Sequence, residues 1–143
     1  MDGQRQGLAD IRHEALEVLL GDDPARLRNG ADGECVVVVV EHLRLRVPAG
    51  GREAWLRAEL ETWDPWLRQK QGFVEREVLW DRSLEEGVLL IHWSSHEDWK
   101  AIPDDEVAAI QARFETAAKH WLALPADSDN PFPLLFAGEV RLS

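Results

Sequence analysis

The chain has 143 residues, of which 45% are hydrophobic and 30% charged, and a formal net charge of −11. That is the size and balance of one soluble domain with a core of its own, and its acidity argues against nucleic acid and anionic membrane surfaces, whose phosphates attract the opposite sign. A single cysteine, Cys35, excludes an intramolecular disulfide and a cysteine-based zinc site. The longest apolar run, Cys35 to Val40, is far too short to span a bilayer, and the N-terminus has no continuous apolar stretch of the kind a signal peptide needs, so the expected location is the cytoplasm.

Residues 1–34 read as a leader set apart from the domain at 35–143. Leu8, Ile11, Ala15, Leu16 and Leu19 recur at helical spacing, Gly21-Asp-Asp-Pro24 ends that helix, and Gly30-Ala-Asp-Gly33 is a flexible link. The leader is expected either to lie along the domain or to dock a partner.

The domain opens on Val36 to Val40, a β-branched run suited to a strand buried on both faces. From Glu41 the pattern alternates. Glu41, Leu43, Leu45 and Val47 point one way, His42, Arg44 and Arg46 the other, and Pro48 and Gly50 end the strand. A helix follows, with Trp55, Leu56, Leu60, Trp63 and Leu67 as its apolar stripe and a kink or restart expected at Asp64-Pro65. Gln71-Gly72 is its stop. The second strand, Phe73 to Trp80, is expected to set Val74, Val78 and Trp80 on one face and Phe73, Glu75, Glu77 and Leu79 on the other. Asp81 to Gly87 forms a wide hairpin loop. Val88 to Ser94 is apolar on both faces and reads as a central strand.

Ser95-His-Glu-Asp98 is a capping-box-like start to a short helix carrying Trp99 and Ile102, which Pro103 stops. Asp104 is expected to cap a longer helix with Val107, Ile110, Phe114, Ala117, Ala118 and Trp121 on its apolar side. Leu124 to Pro133 reads as a linker. Leu134 to Leu142 reads as the last strand, with Gly138 allowing a bulge. The order β-α-β-β-α-α-β gives an α+β, ferredoxin-like split βαβ with an antiparallel sheet and helices on one face.

Four segments in this order resemble the antibiotic-biosynthesis-monooxygenase-like (ABM) domains: Val40-Glu-His-Leu-Arg-Leu-Arg-Val-Pro-Ala-Gly50 with Arg52-Glu-Ala-Trp55, Gln71-Gly-Phe73, Val88-Leu-Leu-Ile-His-Trp93-Ser-Ser, and His96-Glu-Asp-Trp99. With Trp99-Lys-Ala-Ile-Pro103, the pattern is most similar to an uncharacterised branch of that superfamily found largely in cyanobacteria. The resemblance implies a homodimeric α/β barrel, two sheets face to face, with a pocket between sheet and helices in each subunit. It also implies a range of activities, from cofactor-independent monooxygenases of aromatic polyketides to haem-degrading enzymes, isomerases and members with no known reaction. The haem-degrading members use an Asn, a Trp and a His. Those positions fall here at Leu43 or His42, near Ile102 and near Ala112, so none keeps the required residue and haem degradation of that type is not expected.

Glu41 is the leading candidate catalytic residue. A carboxylate on the helix-covered face loses hydration, which favours a proton-accepting role; the alternative is a Glu tied to solvent, an Arg or a Trp N–H. His42 is a weaker acid–base candidate. Leu43, Trp63, Trp66, Trp93, Trp99 and Ile102 are the expected pocket wall, with Trp55 a further aromatic; the alternative is that the tryptophans simply fill the core. Seven Trp and no Tyr put the aromatic surface in indoles, which stack on flat ligands. His42, Arg44, Arg46, Glu75, Glu77 and His92 share the opposite face and read as a polar dimer seam. No metal site is expected, since Glu41 faces away from His42 and His92 and His96 straddle a strand end and a helix start. No cofactor is expected. Cys35 in an apolar run is inert, and Ser94 and Ser95 are strand-end and capping residues. The expected function is a monooxygenase-like or isomerase-like dimer acting on a small aromatic or apolar ligand, or else a non-catalytic dimeric ligand-binding or regulatory module.

Overall fold

A computed structural model of the chain describes residues 39–141. The leader, Cys35 and the first valines of the β-branched run lie outside the described residues. The elements are β1 (Val39–Arg46), a 3-10 turn (Ala49–Gly51), α1 (Arg52–Glu61), α2 (Trp63–Leu67), β2 (Phe73–Asp81), β3 (Glu86–Trp93), α3 (His96–Lys100), α4 (Asp104–Leu122) and β4 (Leu134–Arg141). The four strands form one antiparallel sheet in the order β2-β3-β1-β4. This is the ferredoxin-like arrangement, and β1 and β3 are its central strands.

Strand parity decides which residues reach the core. Leu45, Val47 and Leu89 point to the helices and pack with Trp55, Ala58, Phe114, Ala118 and Phe132. Val39, Ile91 and Trp93 continue the same face against Leu67 and Trp99. Gly87 is required by this packing: a Cβ there would sit 2.4 Å from the Trp55 ring. Gly87→Ala is therefore expected to cost about 1–3 kcal/mol through overpacking, read as a lower urea midpoint with an unchanged slope. Gly72, the expected helix stop, has φ +88°, and Asp98 blocks the space a side chain there would take.

Several local expectations are corrected. A register shift between Phe73 and Glu75 brings Phe73 opposite Trp93 on the core face, ring centroids 6.1 Å apart, so Phe73 does not share a face with Glu75, Glu77 and Leu79. The helix breaks at Thr62, whose hydroxyl bonds the Ala58 carbonyl, ahead of Asp64-Pro65. Leu60 is 61% exposed, and Glu59 takes its place in the buried stripe. Trp121 is 40% exposed; its N–H donates to Glu61 Oε1 at 2.6 Å and Arg57 lies over its ring. Pro103 holds the N-cap position of α4 and Asp104 is its first residue. The bulge of β4 falls at Leu135, between the pairs Arg44–Phe136 and Leu45–Leu134, and Gly138 pairs regularly with His42. Phe132, inside the expected linker, is fully buried against Phe114. Ser95 is the N-cap of α3: its Oγ accepts from the Asp98 N–H at 3.0 Å.

The other sheet face carries His42, Arg44, Glu77 and His92. Arg44 bonds Asp81 and Glu86 at 3.2 and 3.0 Å, and His92 Nε2 lies 2.8 Å from Glu77 Oε1. Among the described residues no helix covers this face.

Candidate functional site

A cavity lies between the core face of the sheet and the helices, with ≈ 90 Å³ open to the centres of water-sized spheres. One such centre needs about 10–15 Å³, so the space is more than a packing defect. Glu41, Leu43, Trp63, Trp66, Trp93, Trp99 and Ile102 all line it. Trp55 does not; it is sealed in the core against Gly87.

Each wall residue is placed by its element. Trp93 and Glu41 come from neighbouring central strands and point the same way, and the Trp93 N–H donates to Glu41 Oε1 at 3.3 Å. Trp63 and Trp66 come from the short α2 and meet edge to face at 5.5 Å. Lys70 caps the Trp66 ring at 4.8 Å and pairs with Glu106 of α4, tying the two helices together beside the cavity. Trp99 sits under His96, ring centroids 5.5 Å apart, with the Lys100 ammonium 4.4 Å from its ring. Trp93 and Trp99 are almost wholly buried, so both are core residues as well as wall.

The polar side of the cavity includes two residues that the sequence reading passed over. Arg76 of β2 and Glu59 of α1 both line it, and both side chains are 1% exposed. Arg76 Nη1 donates to Glu59 Oε1 at 2.6 Å, Nη2 to the Glu59 carbonyl at 3.3 Å, and Nε to Asp64 Oδ1 at 3.0 Å. Asp64 also accepts from Arg68 Nε at 2.9 Å. Burial pushes the Glu59 carboxyl above its ordinary pKa, and the Arg76 charge offsets only part of that. Asp64, although partial burial pushes the other way, is held below its ordinary value by its bonds to Arg68 and Arg76. Glu59 Oε2 and the Trp55 Nε1–H, one helical turn apart, are both buried out of reach of water, and the Trp55 side chain joins Arg76 in opposing the rise of the Glu59 pKa. The signal for both residues was in the pattern. Arg76 falls between Val74 and Val78 on the inward parity of β2, and Glu59 stands four residues from both Trp55 and Trp63.

Register gives the layout of the floor. Glu139, Glu41, Ile91 and Arg76 form one row across β4, β1, β3 and β2. Glu139 pairs with Arg141 at 2.5 Å and lies 3.6 Å from His96 Nε2. Ile91 separates Glu41 from Arg76 by two strand spacings, about 9–10 Å.

His42 is not part of this site. It projects from the opposite face and packs on Phe136 with ring centroids 5.0 Å apart; its Nε2 is buried without a hydrogen bond. Burial, with the Arg44 charge beside it, holds its pKa below the ordinary value. On that same face Glu75, Glu77 and His92 bring three potential ligand atoms within 4.8 Å of one another. Both carboxylates are exposed and His92 already engages Glu77, an arrangement that surface ion pairs adopt without a metal.

No protein-family model and no curated protein sequence matches the chain. Its fold is similar to that of a monooxygenase from the gene ActVA-Orf6 of Streptomyces coelicolor, solved in complex with nanaomycin D, with a TM-score of 0.52 and 15% identity over 73% of this chain and 87% of that one. A conserved protein from Methanosarcina mazei Go1 aligns at a TM-score of 0.42 and 9% identity over 73% of this chain and 97% of that one. At 15% identity the likeness to the monooxygenase is one of fold. No helix among the described residues is long and apolar enough to cross a membrane.

Proposed function

We propose that the chain is an ABM-like, homodimeric monooxygenase of the cytoplasm, of the branch its motifs resemble, that oxidises a small flat hydroxyarene in the cavity without an added cofactor. The observation that carries the reading is the cavity itself: indole walls from Trp63, Trp66, Trp93 and Trp99 over a floor bearing the buried Glu41, in a fold shared with a monooxygenase. Glu41 takes the hydroxyl proton, and Trp93 holds the carboxylate in place. The ring supplies the electrons to O2; one oxygen atom ends on the ring as a carbonyl, and the other leaves as water with the ring hydrogen and the hydroxyl proton. The open sheet face, with its Arg44, Glu77 and His92 ion pairs, is the surface that a second copy covers. The division of the chain into a leader, residues 1–34, and a domain, residues 35–143, is part of this proposal.

Binding is tested by thermal unfolding against 2-naphthol, larger phenols, quinones, flavins and haem. A ligand at a hundred times its dissociation constant adds about 2.7 kcal/mol, a shift of several degrees at about 2–4 °C per kcal/mol. A shift with flat hydroxyarenes is expected, and silence across the panel would overturn the reading. Light scattering is expected to give twice the chain mass; a monomer would contradict the barrel. A non-catalytic binding module is the second reading. The Trp93–Glu41 hydrogen bond favours it, because it gives Glu41 a purely structural use.

A further inference from the structure

The residues that line the cavity differ in depth. Glu41, Ile91 and Trp93 are buried, whereas Trp66, Ile102 and Val107 are half-buried and Asp104 is exposed, so the cavity opens where α2 faces the start of α4. The rim is apolar inside and acidic outside. In the first turn of α4, Glu106 pairs with Lys70, and Asp104 and Asp105 are exposed beside it. Apolar side chains gathered inside a polar rim mark a surface that another segment covers.

The chain that precedes the described residues joins the domain at this same end. Val39 is fully buried and pairs with Trp93, the last residue of β3, from which the chain runs through α3 to Asp104. A segment tethered at Val39 therefore meets the rim at a high effective concentration, about millimolar for a flexible tether. The spacing that gathers Leu8, Ile11, Ala15, Leu16 and Leu19 also sets Arg12 beside them, four residues from both Leu8 and Leu16, with Arg5 on the same side; Asp10, Glu14 and Glu17 fall opposite. An apolar stripe edged by arginines matches an apolar opening edged by Asp104 and Asp105. A second copy seated here would instead set these acids against their own kind, in a chain of net charge −11.

We propose that residues 8–19 dock as an amphipathic helix across the mouth of the cavity of their own chain. The stripe covers Trp66, Ile102 and Val107, Arg5 and Arg12 face Asp104 and Asp105, and undocking admits the ligand. The inference takes over the division between leader and domain, but it concerns access and stands apart from the hydroxyarene reading.

Hydrogen exchange of the full chain without ligand tests it, wild type against Leu16→Asp, a change that leaves every side chain of the domain in place. The amides of residues 8–19 are expected to exchange about tenfold more slowly in wild type, and those of residues 102–108 to quicken with them in the variant. Leader amides equally fast in both proteins would overturn the docking. So would slow leader amides with residues 102–108 indifferent to the substitution, which would put the leader elsewhere. Protection that grows with protein concentration would also overturn it, by making a second copy the occupant. Stopped-flow mixing with 2-naphthol, followed by Trp fluorescence, reads access: if the undocked form is about a tenth of the wild type, Leu16→Asp should bind about tenfold faster. An equal rate would overturn the control of access. If 2-naphthol binds neither protein, the hydroxyarene reading fails, and hydrogen exchange still decides the docking.

Discussion

Arg76→Met is expected to destabilise the protein by about 3–5 kcal/mol at neutral pH, the range for removing one partner of a buried pair. Arg76 and Glu59 are each 1% exposed, and the guanidinium gives Glu59 two of its bonds and Asp64 a third. Without Arg76, Glu59 is a buried carboxylate with only the Trp55 side chain to offset its lost hydration. Its pKa already lies above the ordinary value through burial and should rise further. A folded-state pKa above the unfolded one means that the folded protein binds more protons between the two values, so stability falls as pH rises through that window. The penalty in Arg76→Met should therefore be smallest below the ordinary carboxylate range and grow toward neutrality. Urea unfolding at several pH values reads it. Adding Glu59→Gln should recover much of the loss, since the stranded charge is then gone; no recovery would mean that Arg76 acts through packing alone.

Glu41→Gln is expected to lower turnover of 2-naphthol by about 100- to 10,000-fold, the usual contribution of a positioned base, while leaving fold and binding in place. Gln keeps an oxygen for the Trp93 N–H and occupies the same volume, so the core around Trp93 has no reason to move. The distinguishing feature is pH. At a pH high enough to ionise the naphthol in solution, the ligand arrives without the proton that Glu41 removes, and the gap between wild type and variant should narrow. Initial rates of O2 uptake across pH measure this. A variant as fast as wild type at neutral pH would remove Glu41 from the chemistry.

The sheet was readable because its signals are local and repetitive. Alternation from Glu41 onward gave the face of each following β1 side chain, and a run apolar on both faces marked β3 as central. The same parity placed Glu41 among the cavity residues and His42 away from them. What was lost depends on single-residue irregularities. The bulge after Phe73 moves that ring across the sheet, and nothing in its composition announces it. The buried stripe of α1 runs through Ala54, Trp55, Ala58 and Glu59, so the nominal stripe residue Leu60 faces solvent, and the break at Thr62 starts α2 afresh. Arg76 and Glu59 were hidden by their own polarity: each sits at an inward position, but a charged residue is discounted from a core until its partner is seen, and these partners are 17 residues apart. Phe132 was masked by the proline- and aspartate-rich stretch around it, although it is one of the most buried side chains.

Oxygen uptake by the wild-type protein with 2,6-dihydroxynaphthalene, followed together with the colour of the product, tests the monooxygenase assignment most directly. One O2 consumed for each ring converted to a hydroxyquinone, with saturation at the concentration where the thermal shift saturates, is the expected result. A ligand that binds and shifts the melting temperature but consumes no O2 would contradict it, and would make the protein a binding module whose Glu41 serves only to hold Trp93.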